Sequence, residues 1–336
     1  MINLIRKITK PLSVSGRESE VAGVICEEII PYVDECRTDA LGNVIAVKYG
    51  NGENKKKLMY SAHIDEIGFI TTYIEDNGFV RFQTIGGINF ASAAYTVVVF
   101  ENGVKGVMVP ESGVGANEFR QDKFVVDIGA KNKKDAERRV SIGMTFAVES
   151  NVTKLAGTRM AGRPMDDRIG AVVLIEAAVR MGKAGQTPYN DIYYVFSVQE
   201  EVGCRGAKTA AYSVMPDYGI ALDVTGTGDS QGAKQMAVKL GGGAAIKIKD
   251  SSVICDRYLV EKMTEAAKAN GIKYQHEILA AGGTDTSSIQ QTGAGVAASC
   301  ISIPTRYIHS SVETIDVADV EECVKLTIAM NNCELD

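Results

Sequence analysis

Apolar positions near the start of the chain recur at helical spacing. Ser15 and Glu18 stand three residues apart in front of them, which matches a capping box at a helix start. Pro31 interrupts the pattern, so we expect an amphipathic helix to end there. Its predicted apolar face consists of Val21, Val24, Ile25 and Ile29.

Apolar runs that suit β-strands follow this helix. Residues 43–48 and 57–62 predict two strands, and the turn-rich segment 49–56 between them suggests a hairpin-like pair. Farther along, helical periodicity alternates with short apolar runs, and Asp316 is expected to open a last helix. The predicted helices there are 168–185 and 256–271, and the predicted strands are 191–198, 218–224 and 298–303.

Residues 72–158 have a different character. Short β-branched and aromatic runs alternate there with glycine-rich turn signals, and long amphipathic helical patterns are absent from the sequence. We therefore predict a small β-barrel-like domain inserted into an α/β domain that comprises residues 1–71 and 159–336. The alternation of strands and helices in the larger domain predicts a mostly parallel sheet with helices on both faces.

Composition narrows the class of protein. The 336 residues suggest two domains or one large α/β domain with an insertion, and 45% hydrophobic with 23% charged residues is ordinary for a globular chain. The formal net charge of −6, with no basic stripe, argues against nucleic acid and anionic membranes as partners. With neither a long apolar run nor a signal-peptide pattern in the sequence, we expect a cytoplasmic protein.

The cysteines and histidines differ in what they indicate about a functional site. Seven scattered cysteines without a C-x-x-C pair predict reduced thiols. Of the three histidines, His63 follows a predicted strand, and Asp65 lies two residues on, so both side chains point to the same side. This suits a metal-binding imidazole with a carboxylate that orients its other nitrogen. An isolated H-x-D tripeptide such as His63-Ile64-Asp65 is, however, more often an ordinary strand end.

Further acidic residues and a second histidine lie at the ends of other predicted strands or just before a helix. Each of them alone also fits a capping or solvated residue, as Asp167 does beside Asp166 at a predicted helix start. The candidates are Asp166, Glu200, Glu201, Asp223 and His309.

These candidates gain weight as a set. Open α/β sheets bind ligands at the carboxyl ends of their strands, where we expect the candidates to converge. Several carboxylates without nearby lysine or arginine would be costly unless cations neutralise them. Histidine and carboxylate ligands suit zinc, cobalt or manganese, and five such ligands fit a two-metal site. The five are His63, Asp166, Glu201, Asp223 and His309.

The ordered motifs resemble those of the tetrahedral aminopeptidases, a family of di-metal metallopeptidases. That family includes glutamyl, leucyl and lysyl aminopeptidases and some proteins labelled cellulase M. The resemblance extends from Ile5 to Val324, and the insertion between His63 and Asp166 favours this family over related exopeptidases. The motifs are HID, MDDR, QEEVG, ALDVTG and PTRYIHS.

The resemblance implies two divalent metal ions per chain, zinc or cobalt ahead of manganese. His63 and Asp223 would complete the shell of one ion, Glu201 and His309 would complete that of the other, and Asp166 would bridge both. The implied activity is hydrolysis of N-terminal residues from peptide substrates. The inserted domain would mediate homo-oligomers, from dimers up to dodecamers.

The resemblance also implies two catalytic roles. Glu200 would be the general base that takes a proton from water, and Asp65 would orient His63. His276, in a strand-like segment, is expected to have a structural role. Asp285 follows a glycine turn that could bring it near the site, although a local turn would explain it equally.

Three other functions were weighed. The glycine-rich segment 223–232 could bind a nucleotide, but it lacks the G-K-[ST] of a P-loop. Glycoside hydrolysis would need paired carboxylates in a sugar cleft, commonly with aromatic platforms, and the chain has no tryptophan. A non-catalytic metal-binding scaffold would retain the same ligand set without using it.

Overall fold

Two sheets organise the chain in the computed structural model, which describes residues 1–149 and 151–336. The helices of these residues are α1 (Ile2–Ile8), α2 (Ser19–Ile29), α3 (Phe90–Ala93), α4 (Lys133–Glu137), α5 (Arg168–Lys183), α6 (Arg205–Val214), α7 (Arg257–Ala269), α8 (Asp285–Gln290) and α9 (Val317–Asn331). The strands are β1 (Glu35–Thr38), β2 (Val44–Lys48), β3 (Lys57–His63), β4 (Gly68–Ile74), β5 (Val80–Ile85), β6 (Thr96–Phe100), β7 (Lys105–Pro110), β8 (Phe124–Asp127), β9 (Thr145–Val148), β10 (Thr153–Lys154), β11 (Arg159–Ala161), β12 (Asp191–Ser197), β13 (Tyr218–Thr225), β14 (Ala244–Lys249), β15 (Tyr274–Ile278), β16 (Ala297–Arg306) and β17 (Thr314–Asp316).

The larger sheet has the strand order β1-β2-β12-β3-β13-β16-β17-β11-β10, and β14 and β15 branch from β16. Its centre, β12-β3-β13-β16, is parallel, whereas β1, β2 and the strands beyond β16 on the main path are antiparallel to their neighbours. The sheet is therefore mixed around a parallel core, and the carboxyl ends of four adjacent strands share one edge.

The predicted hairpin of β2 and β3 is wrong. Strand β12 lies between them and pairs antiparallel with β2 and parallel with β3. The apolar residues of β2 are buried on both faces, as in an interior strand that needs two neighbours. The segment 49–56 is long enough to pass over the roughly 10 Å that two strand spacings require.

Helices cover both faces of this sheet. Helices α1, α2, α5, α7 and α9 pack on one face around the main apolar core, and α6 and α8 pack on the other. Strand β2 shows how the sequence serves both layers: Val44 and Ala46 join the main core, while Ile45 and Val47 face α6. Alternate side chains of a strand point to opposite faces, so a fully apolar run is required there.

The start of α2 differs from the capping box predicted for it. The helix begins at Ser19 with Glu18 as its N-cap residue, and the Ser15 side chain does not cap it. Ser15 Oγ instead donates a hydrogen bond to Asp65 Oδ2 at 2.6 Å, and Glu18 Oε1 accepts from Gly16 N and Gln199 N. The segment before α2 therefore supports the buried Asp65. The helix ends at Ile29, before Pro31, as predicted.

The second sheet is a closed barrel of β4-β5-β8-β7-β6-β9, which runs from Gly68 to Val148. Its interior holds a group of packed phenylalanine rings, with neighbouring centroids between 4.5 and 5.7 Å apart among Phe69, Phe82, Phe100 and Phe146. Strands β10 and β11 already belong to the larger sheet. Over the described residues, no helix combines the length and the hydropathy that crossing a bilayer requires.

Candidate metal centre

The candidate ligands meet at the carboxyl edge of the parallel strands. His63 is the last residue of β3, Asp223 lies near the end of β13, and His309 follows β16. Glu200 and Glu201 follow β12, and Asp166 stands just before α5. These six side chains line one cavity of about 490 Å³. The convergence expected from strand order is therefore present.

Asp166 lies between the two histidines. Its Oδ1 atom is 3.0 Å from His63 Nε2, and its Oδ2 atom is 3.2 Å from His309 Nε2. His309 Nε2 is also 3.2 Å from Glu201 Oε2, and His63 Nε2 is 4.0 Å from Asp223 Oδ1. One carboxylate thus faces two separate groups of nitrogen and oxygen donors, one on each side.

Asp65 is fully buried behind His63 and connects it with the loop after β12. His63 Nδ1 lies 3.2 Å from the Asp65 carbonyl oxygen and 3.5 Å from Oδ1. The same carboxylate accepts hydrogen bonds from the backbone N–H groups of Glu200 and Glu201, at 2.9 and 3.2 Å. Asp65 therefore fixes both the imidazole and the two glutamates that follow β12.

The acidity of the site follows from burial and from close opposite charges. Burial opposes protonation of His63, but hydrogen bonds from its protonated ring to Asp166 and Asp65 raise its pKa well above the usual value. Burial alone would raise the pKa of Asp166, yet the two histidines hold it well below its usual range. Burial raises the pKa values of Asp223 and Glu200, which lie among other carboxylates. A bound cation would compensate this crowding of acids.

The donor set fits divalent cations. Ligand atoms of His63, Asp166 and Glu201 lie within 4.8 Å of one another, as do those of His63, Asp167 and Asp223. Within the part of the chain that the structure describes, the buried Asp167 Oδ2 atom has no hydrogen-bond partner. Imidazole nitrogen and carboxylate oxygen together are the donors that zinc, cobalt and manganese accept.

Asp167 has the capping role considered for one of the two adjacent aspartates. Its Oδ1 atom accepts from Gly170 N at 3.1 Å at the start of α5. His276 lies on β15 outside the cavity, and its Nε2 atom is 3.1 Å from Thr264 Oγ1. Residues 226–243, which include most of the glycine-rich segment, contain no helix that could hold a nucleotide phosphate.

Two buried acids of the site were missed or left open by the sequence. Glu313 Oε2 accepts from the backbone of Met165 and Asp166, at 2.7 and 3.2 Å, and its Oε1 accepts from His309 N at 3.0 Å. It thus holds two candidate ligands through their backbone. The only signal in the sequence is an acid four residues after His309.

Asp285 begins α8 and does approach the site. Its Oδ2 atom accepts from Ser61 Oγ and Ser197 Oγ, at 2.7 and 2.5 Å. Ligand atoms of Asp285, Glu200 and Cys204 lie within 4.8 Å of one another. The glycine turn in front of Asp285 was the signal that pointed to it.

The barrel segment after β5 lies against two of the candidate ligands. The chain after β5 passes so close to the ligands that a Cβ atom at Gly87 would lie 3.3 Å from His309 Nδ1. A Cβ atom at Gly86 would lie 3.3 Å from Glu201 Cβ and 2.5 Å from Ile67 Cγ2. The positive φ of Gly86, +77°, and its short distance to Ile67 favour glycine there, and at Gly87 a side chain would have little room beside His309.

A parallel-centred α/β sheet with histidine and carboxylate donors at its carboxyl edge is an arrangement that suits a metal-dependent hydrolase. A sequence model described as M42 glutamyl aminopeptidase matches residues 42–326. The chain belongs to this M42 family and is a peptide hydrolase.

Individual relatives agree with this assignment. A protein of Acetivibrio thermocellus is 44% identical over 329 residues, covering 98% of this chain and 97% of the relative. The lysyl aminopeptidase of Pyrococcus furiosus is 33% identical over 340 residues, covering 97% and 95%. The structure of the Pyrococcus horikoshii TET1 peptidase, which can assemble into a tetrahedron or a large octahedral shell, matches with a TM-score of 0.87, 33% identity and 99% coverage of each chain.

Proposed function

We propose that this chain is an aminopeptidase that releases N-terminal residues from peptides at a two-metal site. The observation that carries the proposal is Asp166, whose two oxygens face His63 and His309 separately. A carboxylate in this position can bridge two cations. The proposed ligands are His63 and Asp223 for one ion, Glu201 and His309 for the other, and Asp166 for both.

The donor set favours zinc or cobalt, with manganese as a third choice. When bound, such ions supply Lewis acidity, which activates water near neutral pH and polarises the scissile carbonyl. The excess of carboxylates in the cavity favours a substrate with a free N-terminal amine, because that amine carries positive charge.

Glu200 is the proposed general base. Its Oε1 atom accepts a hydrogen bond from Cys204 Sγ at 3.1 Å, which leaves Oε2, 3.9 Å from His63 Nε2, directed at the ligand cluster. Burial raises the pKa of Glu200, and a raised pKa suits a group that accepts a proton from water and returns it to the leaving amine. Asp65 is a positioning residue, since it holds His63 and the Glu200 backbone.

Metal analysis and a kinetic panel test the proposal. We expect about two zinc or cobalt ions per chain, and metal-dependent hydrolysis of aminoacyl-p-nitroanilides. Glu200→Gln should retain the metals but lose about 10²–10⁴-fold or more in turnover. The exposed Glu53→Gln is the matched control and should behave as wild type. Two results would refute the assignment. One is a purified protein that contains no metal and hydrolyses no peptide substrate after zinc or cobalt is added, and the other is a fully active Glu200→Gln variant.

Glycoside hydrolysis is the less favoured alternative. The family and the named relatives are peptidases. Reducing-sugar release from a soluble glucan checks this alternative, and we expect none above background. Sugar release that Glu200→Gln abolishes would restore it.

We further propose that the chain forms a homo-oligomer, between a dimer and a dodecamer in size, and that residues 72–158 are its oligomerisation domain. The assemblies of the TET1 peptidase support this. The barrel region also presents exposed apolar side chains: Tyr95 is 74% and Ile142 is 68% exposed. Light scattering should show an oligomer that Tyr95→Asp or Ile142→Asp weakens. Tyr212→Asp on α6, at a residue 71% exposed, is the control.

A further inference from the structure

The cavity wall beyond the candidate ligands is uncharged. Two segments after β14 and β15 contribute Ser252, Leu279, Ala281, Gly282, Gly283 and Ser287, and the residues near β13 and β16 include Thr225 and Ile308. Among the described residues that line the cavity, the charged groups are the acids and histidines of the metal centre. Selection of a substrate side chain therefore depends on this neutral wall.

We propose that the site selects uncharged, apolar N-terminal side chains, such as leucine or methionine, over acidic and basic ones. This inference rests on the proposed aminopeptidase activity and adds its substrate class. Leu279 and Ile308 give the wall apolar side chains, and Gly282 and Gly283 contribute only backbone to it. A cavity of about 490 Å³ has room for such a residue.

An acidic side chain would find no partner on this wall. In the described part of the chain, no lysine or arginine lines the cavity. Lys249, at the end of β14, donates to the Asp250 carbonyl oxygen at 3.0 Å. A glutamate side chain would thus lose its hydration beside Glu200 and Glu201 without a cation of the protein to replace it.

A basic side chain would lack a free carboxylate there. Asp250, next to the wall, is already occupied, because its Oδ1 accepts from Ser252 N, Ser252 Oγ and Val253 N at 2.7 to 2.9 Å. Its Oδ2 lies 3.2 Å from the buried Lys247 Nζ. Asp285 does not line the cavity, and its Oδ2 atom accepts from Ser61 and Ser197. The carboxylates that do line the cavity are the proposed ligands and the base.

A panel of Leu, Met, Ala, Glu and Lys p-nitroanilides with the metal-loaded wild-type oligomer tests the inference. We expect kcat/KM for Leu or Met to exceed that for Glu and Lys by about tenfold or more, as burial of an apolar side chain implies. A preference for Glu or Lys would overturn the inference while supporting the aminopeptidase activity. Hydrolysis of none of the substrates would instead refute the proposed function, and the inference with it.

Charge placed on the wall should redirect the preference. Leu279→Lys should raise the ratio of Glu to Leu hydrolysis by about tenfold, and Leu279→Glu should raise the ratio of Lys to Leu similarly. Ile278→Lys is the matched control, because Ile278 is the neighbouring residue, 61% exposed and outside the cavity lining. Unchanged ratios in both Leu279 variants, or equal shifts in the control, would contradict the placement of the subsite.

Discussion

Asp65→Asn is a nearly isosteric change with a large expected effect. Each carboxylate oxygen of Asp65 accepts one backbone N–H: Oδ1 accepts from Glu200 and Oδ2 from Glu201. Asparagine offers one oxygen and one NH₂ group. Whichever way the amide turns, its NH₂ group meets a backbone donor inside a fully buried site. One of the two glutamates therefore loses its backbone anchor.

The magnitude follows from the number of lost interactions. A hydrogen bond to a charged group contributes about 1.5–3 kcal/mol, and an unsatisfied buried donor costs about 1–3 kcal/mol. We therefore expect the free energy of unfolding of the metal-free protein to fall by about 2–4 kcal/mol. Displacement of a group that orients a metal ligand should also reduce metal affinity or turnover by about 10–100-fold.

Urea unfolding after chelation, together with metal titration and turnover, measures both effects. Asp34→Asn is the control, because this exposed carboxylate also accepts a backbone N–H, from Tyr49 at 2.7 Å, and pairs with Lys48. Its stability loss should stay below about 1 kcal/mol. An Asp65→Asn variant with stability and turnover equal to those of the control would refute the reasoning.

Three further predictions concern stability, thiol chemistry and metal. Lys247→Met should lower the free energy of unfolding, measured in urea, by about 3–5 kcal/mol. The change leaves the buried Asp250 and Glu277, each 3.2 Å from Lys247 Nζ, without their cation. An equal loss in the exposed Lys249→Met variant would contradict this. Burial raises the pKa of Cys36 to about 12, so its thiolate fraction should rise about tenfold per pH unit between pH 7 and 9 without reaching a plateau. The rate of its alkylation by iodoacetamide, measured by mass spectrometry, should rise in parallel. Zinc or cobalt at about 100 times Kd should stabilise the chelated protein by about 2.7 kcal/mol, seen as a higher Tm; an unchanged Tm would count against a metal site.

Local periodicity was sufficient for much of the fold. The apolar spacing typical of a helix or a strand can be recognised from the residues of the element alone. This holds for helices α5, α7 and α9 and for strands β12, β13 and β16. Local periodicity does not determine which strands pair. The position of β12 between β2 and β3 depends on contacts between residues about 130 positions apart in the chain. Strand β14 escaped prediction because Lys247, which resembles a surface residue in the sequence, is buried with Asp250 and with Glu277, which is 30 residues farther along the chain.

The candidate site divides in the same way. The side chains that end strands could be found, because strand ends in a parallel sheet must share an edge. Their roles as ligands and base remain proposals. Glu313 and Asp285 act through contacts that join distant segments, for example Glu313 with Asp166 N across 147 residues. Nothing in the residues adjacent to Glu313 distinguishes it from an acid in a surface turn.

The close approach of Gly86 and Gly87 to Glu201 and His309 has a consequence for any attempt to use the two folding units as separate parts. The barrel cannot be excised, or replaced by a barrel from a relative, without preserving this crossing of the backbone over the ligands. A graft with a larger residue at Gly86 would press on Ile67 and the Glu201 side chain, and one at Gly87 would press on the His309 imidazole. Loop changes at the barrel surface, in contrast, leave the crossing untouched and are the safer place for redesign.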